Sequence, residues 1–153
     1  MKYWLMKSEP DCFSIDNLMQ AKNQTSPWDG VRNYQARNFM RDEMQPNDLA
    51  FFYHSSCKEV GIAGIIEIVK AAYPDFTAWD PKNEHYDPKS PAAKPLWYMV
   101  DVRCKKKFDD IIPLQHLRDN PLLKNMFILR KGNRLSITPL TKQEWGAILK
   151  MTK

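Results

Sequence analysis

Apolar residues recur along the chain in short runs, and the runs have two different periods. Leu96, Tyr98, Val100, Val102 and Cys104 alternate with Trp97, Met99, Asp101, Arg103 and Lys105. A period of two predicts a strand. It ends in Lys105-Lys106-Lys107, one or two of which are expected to face solvent. Residues 3–7, 49–54 and 135–138 predict further strands, the run Leu-Ala-Phe-Phe-Tyr-His at 49–54 being rich in aromatics. Residues 60–70 predict a strand that is apolar on both sides. A period near 3.6 takes over elsewhere. Ala36, Phe39, Met40 and Met44 share one face of a helix over about 34–44, capped by Asn33. Gln45-Pro46-Asn47-Asp48 ends it and turns the chain. Ser14 caps a helix through about Lys22, with Phe13, Leu18 and Met19 among its apolar residues. Asn120-Pro121 is a cap followed by a first-turn proline. Thr141-Lys142-Gln143-Glu144 is a capping box that opens a C-terminal helix with Trp145, Ile148 and Leu149 inward.

Strands with helices between and after them predict a small α+β domain whose sheet is curved and barrel-like. No repeat, low-complexity tract or linker interrupts residues 1–153, so one domain is expected. Residues 74–95 stand apart. They hold five of the 11 prolines and no glycine. An excursion of that length serves either as a fixed brace or as a functional wall or lid.

Composition narrows the function. The 23 Lys and Arg exceed the 18 Asp and Glu, giving a net charge of +5. Residues 1–76 carry 8 basic and 10 acidic side chains; residues 77–153 carry 15 and 8. This asymmetry suggests one basic face. No apolar run approaches the ~20 residues of a membrane helix. The apolar start of the chain is too short for a signal peptide, so an intracellular protein is expected, cytoplasmic if bacterial and nuclear if eukaryotic. Cys12, Cys57 and Cys104 include no CxxC and argue against a disulfide framework.

Enzyme templates are missing: there is no Gly-rich phosphate loop, GxSxG or HExxH. His54, His85 and His116 are scattered, and His54-x-x-Cys57 lacks a second paired ligand motif, so neither a metal nor another cofactor is expected. Nucleic acid fits better. Trp28-Asp29-Gly30-Val31-Arg32-Asn33-Tyr34 sets aromatics, a flexible turn, a cation and an amide just before a helix. Arg32 suits a phosphate, Asn33 a base edge, and Trp28 or Tyr34 a stacked base. In the alternative, Asn33 merely caps the helix and Trp28 packs. The strand ends Lys7-Ser8-Glu9-Pro10 and Tyr53-His54-Ser55-Ser56 could frame one cleft. Arg130, Lys131 and Arg134 flank a Gly132-Asn133 turn suited to phosphate contact.

Several of these motifs together resemble the EVE domain. They are Trp4-Leu5-Met6-Lys7-Ser8-Glu9-Pro10, Trp28-x-Gly30-Val31-Arg32-Asn33-x-x-Ala36-Arg37-Asn38 and Phe52-Tyr53-His54-Ser55. Asp87-Pro88-Lys89-Ser90, Trp97 with Val100-Asp101-Val102, and Arg134-Leu135-Ser136-Ile137-x-Pro139 with Glu144-Trp145 continue the match, in order and along essentially the whole chain. One departure is Asn47, where the family commonly has glycine; Asn tolerates a positive φ, so the turn should survive. The resemblance implies a PUA-like fold related to YTH domains. It also implies a non-catalytic reader of modified bases, notably modified cytosine in DNA. On that expectation Ser8, Trp28, Asn33, Tyr53, His54, Ser55 and Trp97 form the base pocket. Lys7, Arg32, Lys89, Arg130 and Arg134 contact the backbone of a flipped or single-stranded nucleic acid. Two alternatives remain: an enzyme acting on a modified nucleotide or metabolite through His54 or Glu9, and a protein–protein adaptor with an exposed aromatic patch.

Overall fold

A computed structural model describes residues 1–152. Six strands form one mixed sheet: β1 (Tyr3–Ser8), β2 (Thr25–Pro27), β3 (Leu49–His54), β4 (Gly61–Pro74), β5 (Tyr98–Pro113) and β6 (Ile137–Leu140). Their order in the sheet is β2-β5-β4-β3-β1-β6. β1 and β3 run parallel at its heart, and every other pairing is antiparallel.

At β1 and β3 the sheet is buried on both faces, which explains their near-continuous apolar runs. Trp4, Met6, Ala50 and Phe52 point to one face, where α1 (Ile15–Gln20) and α2 (Tyr34–Asn38) cover them through Leu18, Ala36 and neighbours. Leu5, Phe51 and Tyr53 point to the other, under α3 (Leu114–Asp119) and α4 (Lys142–Leu149). Trp145 of α4 stacks on Phe51 with ring centroids 4.0 Å apart. The alternation along a strand thus divides its aromatics between two cores.

Three expectations are corrected. The sheet is mixed and flanked by helices but does not close into a barrel. Closure requires the first and last strands to pair. Here the edges are β2 and β6, of three and four residues, and they are not neighbours. Register shifts along the β4–β5 ladder mark bulges, which bend the strands without closing the sheet. The alternating strand also runs further than Lys105, because Phe108 and Ile112 carry the buried side of β5 onward to Pro113. Leu149, expected inward, ends α4 partly exposed.

Boundaries follow local chemistry. α1 stops at Gln20 because Ala21 turns to extended backbone with ψ 156°, and Asn23 and Gln24 follow with positive φ of 57° and 52°. The helix expected over 34–44 changes to a π turn at Phe39–Glu43, with Met40 and Met44 still buried. Asn47 has φ 79°, the left-handed conformation anticipated for it. The next residue, Asp48, is buried and accepts hydrogen bonds from Lys2 N, Trp4 Nε1 and Gln45 N at 3.0, 3.2 and 3.0 Å. It ties the start of β1 to the turn that opens β3. Asp48→Ala leaves those donors without their acceptor, and an unfolding titration is expected to show a loss of about 3 kcal/mol with an unchanged m-value.

Candidate nucleic-acid interface

A cleft of about 760 Å³ opens between the end of β1, the loop 26–32 and residues 82–85. β1 reaches it because two neighbours hold its last residues: Lys7 N donates to Ser136 O at 2.8 Å, and Ser55 N donates to Ser8 O at 3.1 Å. Trp28 lies at the base of the cleft. Its N–H donates to Val100 O at 2.7 Å, extending the β2–β5 ladder, and its ring meets Phe52 and Phe13 edge to face at 5.2 and 6.4 Å. With 6% of its surface exposed, Trp28 is a floor rather than a free-standing stacking plate.

The loop after Trp28 depends on an ion pair between the buried Asp75 and the partly buried Arg32. Asp75, directly after β4, accepts from Gly30 N at 2.9 Å, from Thr77 N at 2.9 Å and from Arg32 Nη1 at 3.0 Å. Arg32 also donates to His85 O from Nε at 3.1 Å and from Nη2 at 2.7 Å. One guanidinium therefore fastens loop 28–32 to both ends of the segment 75–85. Burial alone would raise the Asp75 pKa, but the hydrogen bonds from Thr77, Gly30 and Arg32 outweigh it and hold the carboxyl below its ordinary value. A depressed carboxyl stabilises the fold above its unfolded pKa of about 4, and that contribution is lost as pH falls through the folded value. Gly30 has φ +78°, and a Cβ there would meet the His85 ring at 2.5 Å.

Free chemistry in the cleft is mixed in sign. The half-buried Lys7 ammonium has its pKa lowered by desolvation. It makes no hydrogen bond or ion pair among the described residues. Lys82 stands at the rim. Glu9, Asp29 and Glu84 are the acids. Partial desolvation first, and the Asp75 charge second, raise the Asp29 pKa.

Of the expected site residues, Lys7, Ser8, Trp28 and Arg32 line this cleft. Ser8 Oγ donates to Phe13 O at 2.7 Å and so shapes the wall. Arg32 is engaged by the protein and is not free for phosphate. Asn33 caps α2, accepting from Ala36 N at 3.0 Å. Tyr53 faces the opposite core, because adjacent strand residues point to opposite faces and Phe52 takes the cleft side. Burial raises the Tyr53 phenol pKa to about 12. His54 Nε2 accepts from Ile15 N at 3.1 Å at the start of α1, which removes the lone pair a general base needs. Desolvation lowers its pKa. Ser55 contributes its backbone rather than lining the cleft.

Trp97 is buried outside the cleft. Its Nε1 donates to Asp87 at 2.6 Å, and its ring stacks under the exposed Tyr34 at 4.9 Å. It anchors the proline-rich excursion, whose turns are closed by Asp80, Asn83 and Asp87 accepting from backbone N–H groups. Lys89, Arg130 and Arg134 are exposed and away from the cleft lining. Arg130 covers Phe127 at 4.0 Å and donates to Asn125 O at 3.2 Å.

Phe13, Asp29 and His85 are cleft residues that sequence reasoning missed. In the sequence Phe13 reads as part of a helix face, and His85 as an isolated histidine. Asp29 had a readable signal, a carboxyl between Trp28 and Gly30 in a turn. Among the described residues no group of three or more His, Cys, Asp or Glu could hold a metal ion. No helix there is long and apolar enough to cross a membrane.

A family model, "EVE domain", matches residues 2–151. Thymocyte nuclear protein 1 of Danio rerio is 48% identical, over 97% of this chain and 71% of that protein. The crystal structure of a Pseudomonas syringae protein superposes with a TM-score of 0.93 at 48% identity, covering 97% of this chain and 98% of that one. The human THYN1 protein in complex with DNA containing 5-methylcytosine also superposes with a TM-score of 0.93. It is 46% identical and covers 99% of this chain and 97% of that one.

Gly30→Ala introduces a strained φ and a contact with His85. Thermal unfolding should detect a destabilisation of about 2 kcal/mol. Arg32→Lys removes the fork that spans Asp75 and His85 O. It is expected to cost about 3 kcal/mol, and to make the 75–87 backbone exchange amide hydrogens faster than β3 does.

Proposed function

The chain belongs to the EVE domain family, and from that premise we propose that it is a non-catalytic reader of modified bases in nucleic acid. The observation that carries this reading is the cleft: an aromatic floor of Trp28 backed by Phe13 and Phe52, beside an unpaired, half-buried ammonium at Lys7. A flat, partly apolar ligand with a polar edge suits that combination. The likeness to human THYN1, crystallised with 5-methylcytosine DNA, supports modified cytosine as the ligand. A base must leave its stack to enter such a cleft, so the target is flipped or single-stranded.

The base-binding set is then Lys7, Ser8, Phe13, Trp28 and Asp29. Asn33, Trp97 and Arg32 hold its walls. Lys82 at the rim, with Lys89, Arg130 and Arg134 further out, meets the phosphates. Tyr53, His54 and Ser55 support the reader from outside the cleft. A single domain of PUA-like architecture is the fold we assign to the family match. Such a reader works where its nucleic acid lies, in the cytoplasm of a bacterium or the nucleus of a eukaryote.

Fluorescence anisotropy with short single-stranded oligonucleotides carrying one 5-methylcytosine tests this reading. Binding should weaken with salt, with a log–log slope of about −3 for four phosphates neutralised, at roughly −0.7 each. Trp28→Leu should weaken it by about 1 kcal/mol, roughly fivefold. Lys7→Gln should weaken it while leaving the melting temperature unchanged. Tyr53→Phe should leave affinity as it was, because that ring lies across the sheet. Binding to no oligonucleotide, or equal affinity for Lys7→Gln and wild type, would sink the reading.

A further inference from the structure

We infer that Asp29 is the residue that tells cytosine from thymine, by accepting a hydrogen bond from the exocyclic amine of a cytosine base seated against Trp28. This rests on the reading of the cleft as a base site and adds its specificity element.

Three observations place the role there. Asp29 directly follows Trp28 and lines the same cleft. Its carboxyl accepts from no residue but itself. The cleft's other anchoring groups already have partners: Asp75 takes Gly30, Thr77 and Arg32, and the Ser8 hydroxyl takes Phe13 O. No side chain or backbone donor of another described residue binds the Asp29 oxygens, and it forms no ion pair with Lys7 although both line the cleft. Finally, the backbone beneath Asp29 is fixed. Trp28 N is tied to Val100 O at 2.7 Å, and Gly30 N to Asp75 at 2.9 Å. A carboxyl on a backbone anchored at both neighbours, whose internal partner is its own N–H, is positioned to take a donor supplied by a ligand.

The chemistry of the bases makes the discrimination. Cytosine carries an N4 amine that donates, whereas thymine and uracil carry an O4 that accepts. A carboxylate facing O4 sets two acceptors against each other with no proton between them. Sites built around one hydrogen bond reject the analogue that lacks it far more strongly than apolar pockets reject a missing methyl. A carbon-5 methyl is present in both 5-methylcytosine and thymine. That methyl can therefore set modified against unmodified cytosine, but the edge that meets Asp29 must set 5-methylcytosine against thymine.

The same equality gives the test. Two labelled single-stranded oligonucleotides are compared that differ at one base, 5-methylcytosine or thymine. Wild type is expected to favour 5-methylcytosine by roughly tenfold or more. Asp29→Asn should reduce that preference to about twofold, because a rotated amide can donate to O4 as readily as it accepts from N4–H. Asp29→Glu, which keeps the acceptor, should retain a preference of the same sign. Equal wild-type affinity for both strands, or an Asp29→Asn variant that keeps the full preference, overturns the assignment while leaving a base-binding cleft in place. Binding of neither strand by wild type overturns the base site itself, and Asp29 with it.

Discussion

The cleft exists because a buried carboxylate, Asp75, has a guanidinium to face. Asp75 directly follows the long β4 strand; its N–H still donates to Trp97 O at 2.9 Å, and its side chain turns to the loop 28–32. Its oxygens draw in Gly30 and Thr77 backbone N–H groups and Arg32. Arg32 then reaches the carbonyl of His85 with two further donors. Buried ion pairs add little net stability, because desolvation offsets attraction. Their effect is on geometry: a fork with fixed angles admits one arrangement of three chain segments, whereas an apolar contact would admit several. The floor at Trp28, the tight turn at Gly30 and the wall at 82–85 are therefore positioned by one charge pair.

Sheet topology decides which residues can reach that cleft. The parallel pair β1 and β3 is buried on both faces, so its side chains alternate between two cores that never meet. Phe52 supports Trp28 from below, while Tyr53, one residue on, packs beneath α3 and α4. His54 returns to the face of Phe52, where its imidazole accepts the first N–H of α1. A motif of consecutive aromatic and polar residues is thus distributed among different tasks by the two-residue period of a strand.

That distribution explains what was legible in the chain. Elements were readable where one local rule governs them. The Thr141–Glu144 capping box opens α4 as expected, with Thr141 accepting from Glu144 N at 3.0 Å. The alternating run from Val100 to Cys104 is a strand, and Asn47 turns the chain with a positive φ. The family resemblance was legible because its motifs lie in order along the chain. Side-chain destinations were not. Whether Arg32 faces solvent or Asp75 depends on a contact 43 residues away. Whether Phe52 or Tyr53 faces the cleft depends on register, and a one-residue change exchanges the two faces. The barrel expectation failed for a similar non-local reason: closure depends on whether two edge strands meet.

The charge pattern gains its meaning from the same geometry. The excess of cations in the second half of the chain suggested a basic face, and Lys82, Lys89, Arg130 and Arg134 are exposed there. The cleft itself is not basic, because Glu9, Asp29 and Glu84 share it with Lys7. A surface that merely gripped a polyanion would gain from removing those acids, since each repels the phosphates that the rim attracts. Acids lining the cleft beside Lys7, with further cations at and beyond its rim, instead divide the work between two parts of the ligand. Phosphates are attracted without regard to sequence, while the neutral edge of a base offers donors that a carboxylate can meet. On the proposed reading this division is the source of selectivity: the rim fixes where the strand lies, and the mixed cleft determines which base can leave it.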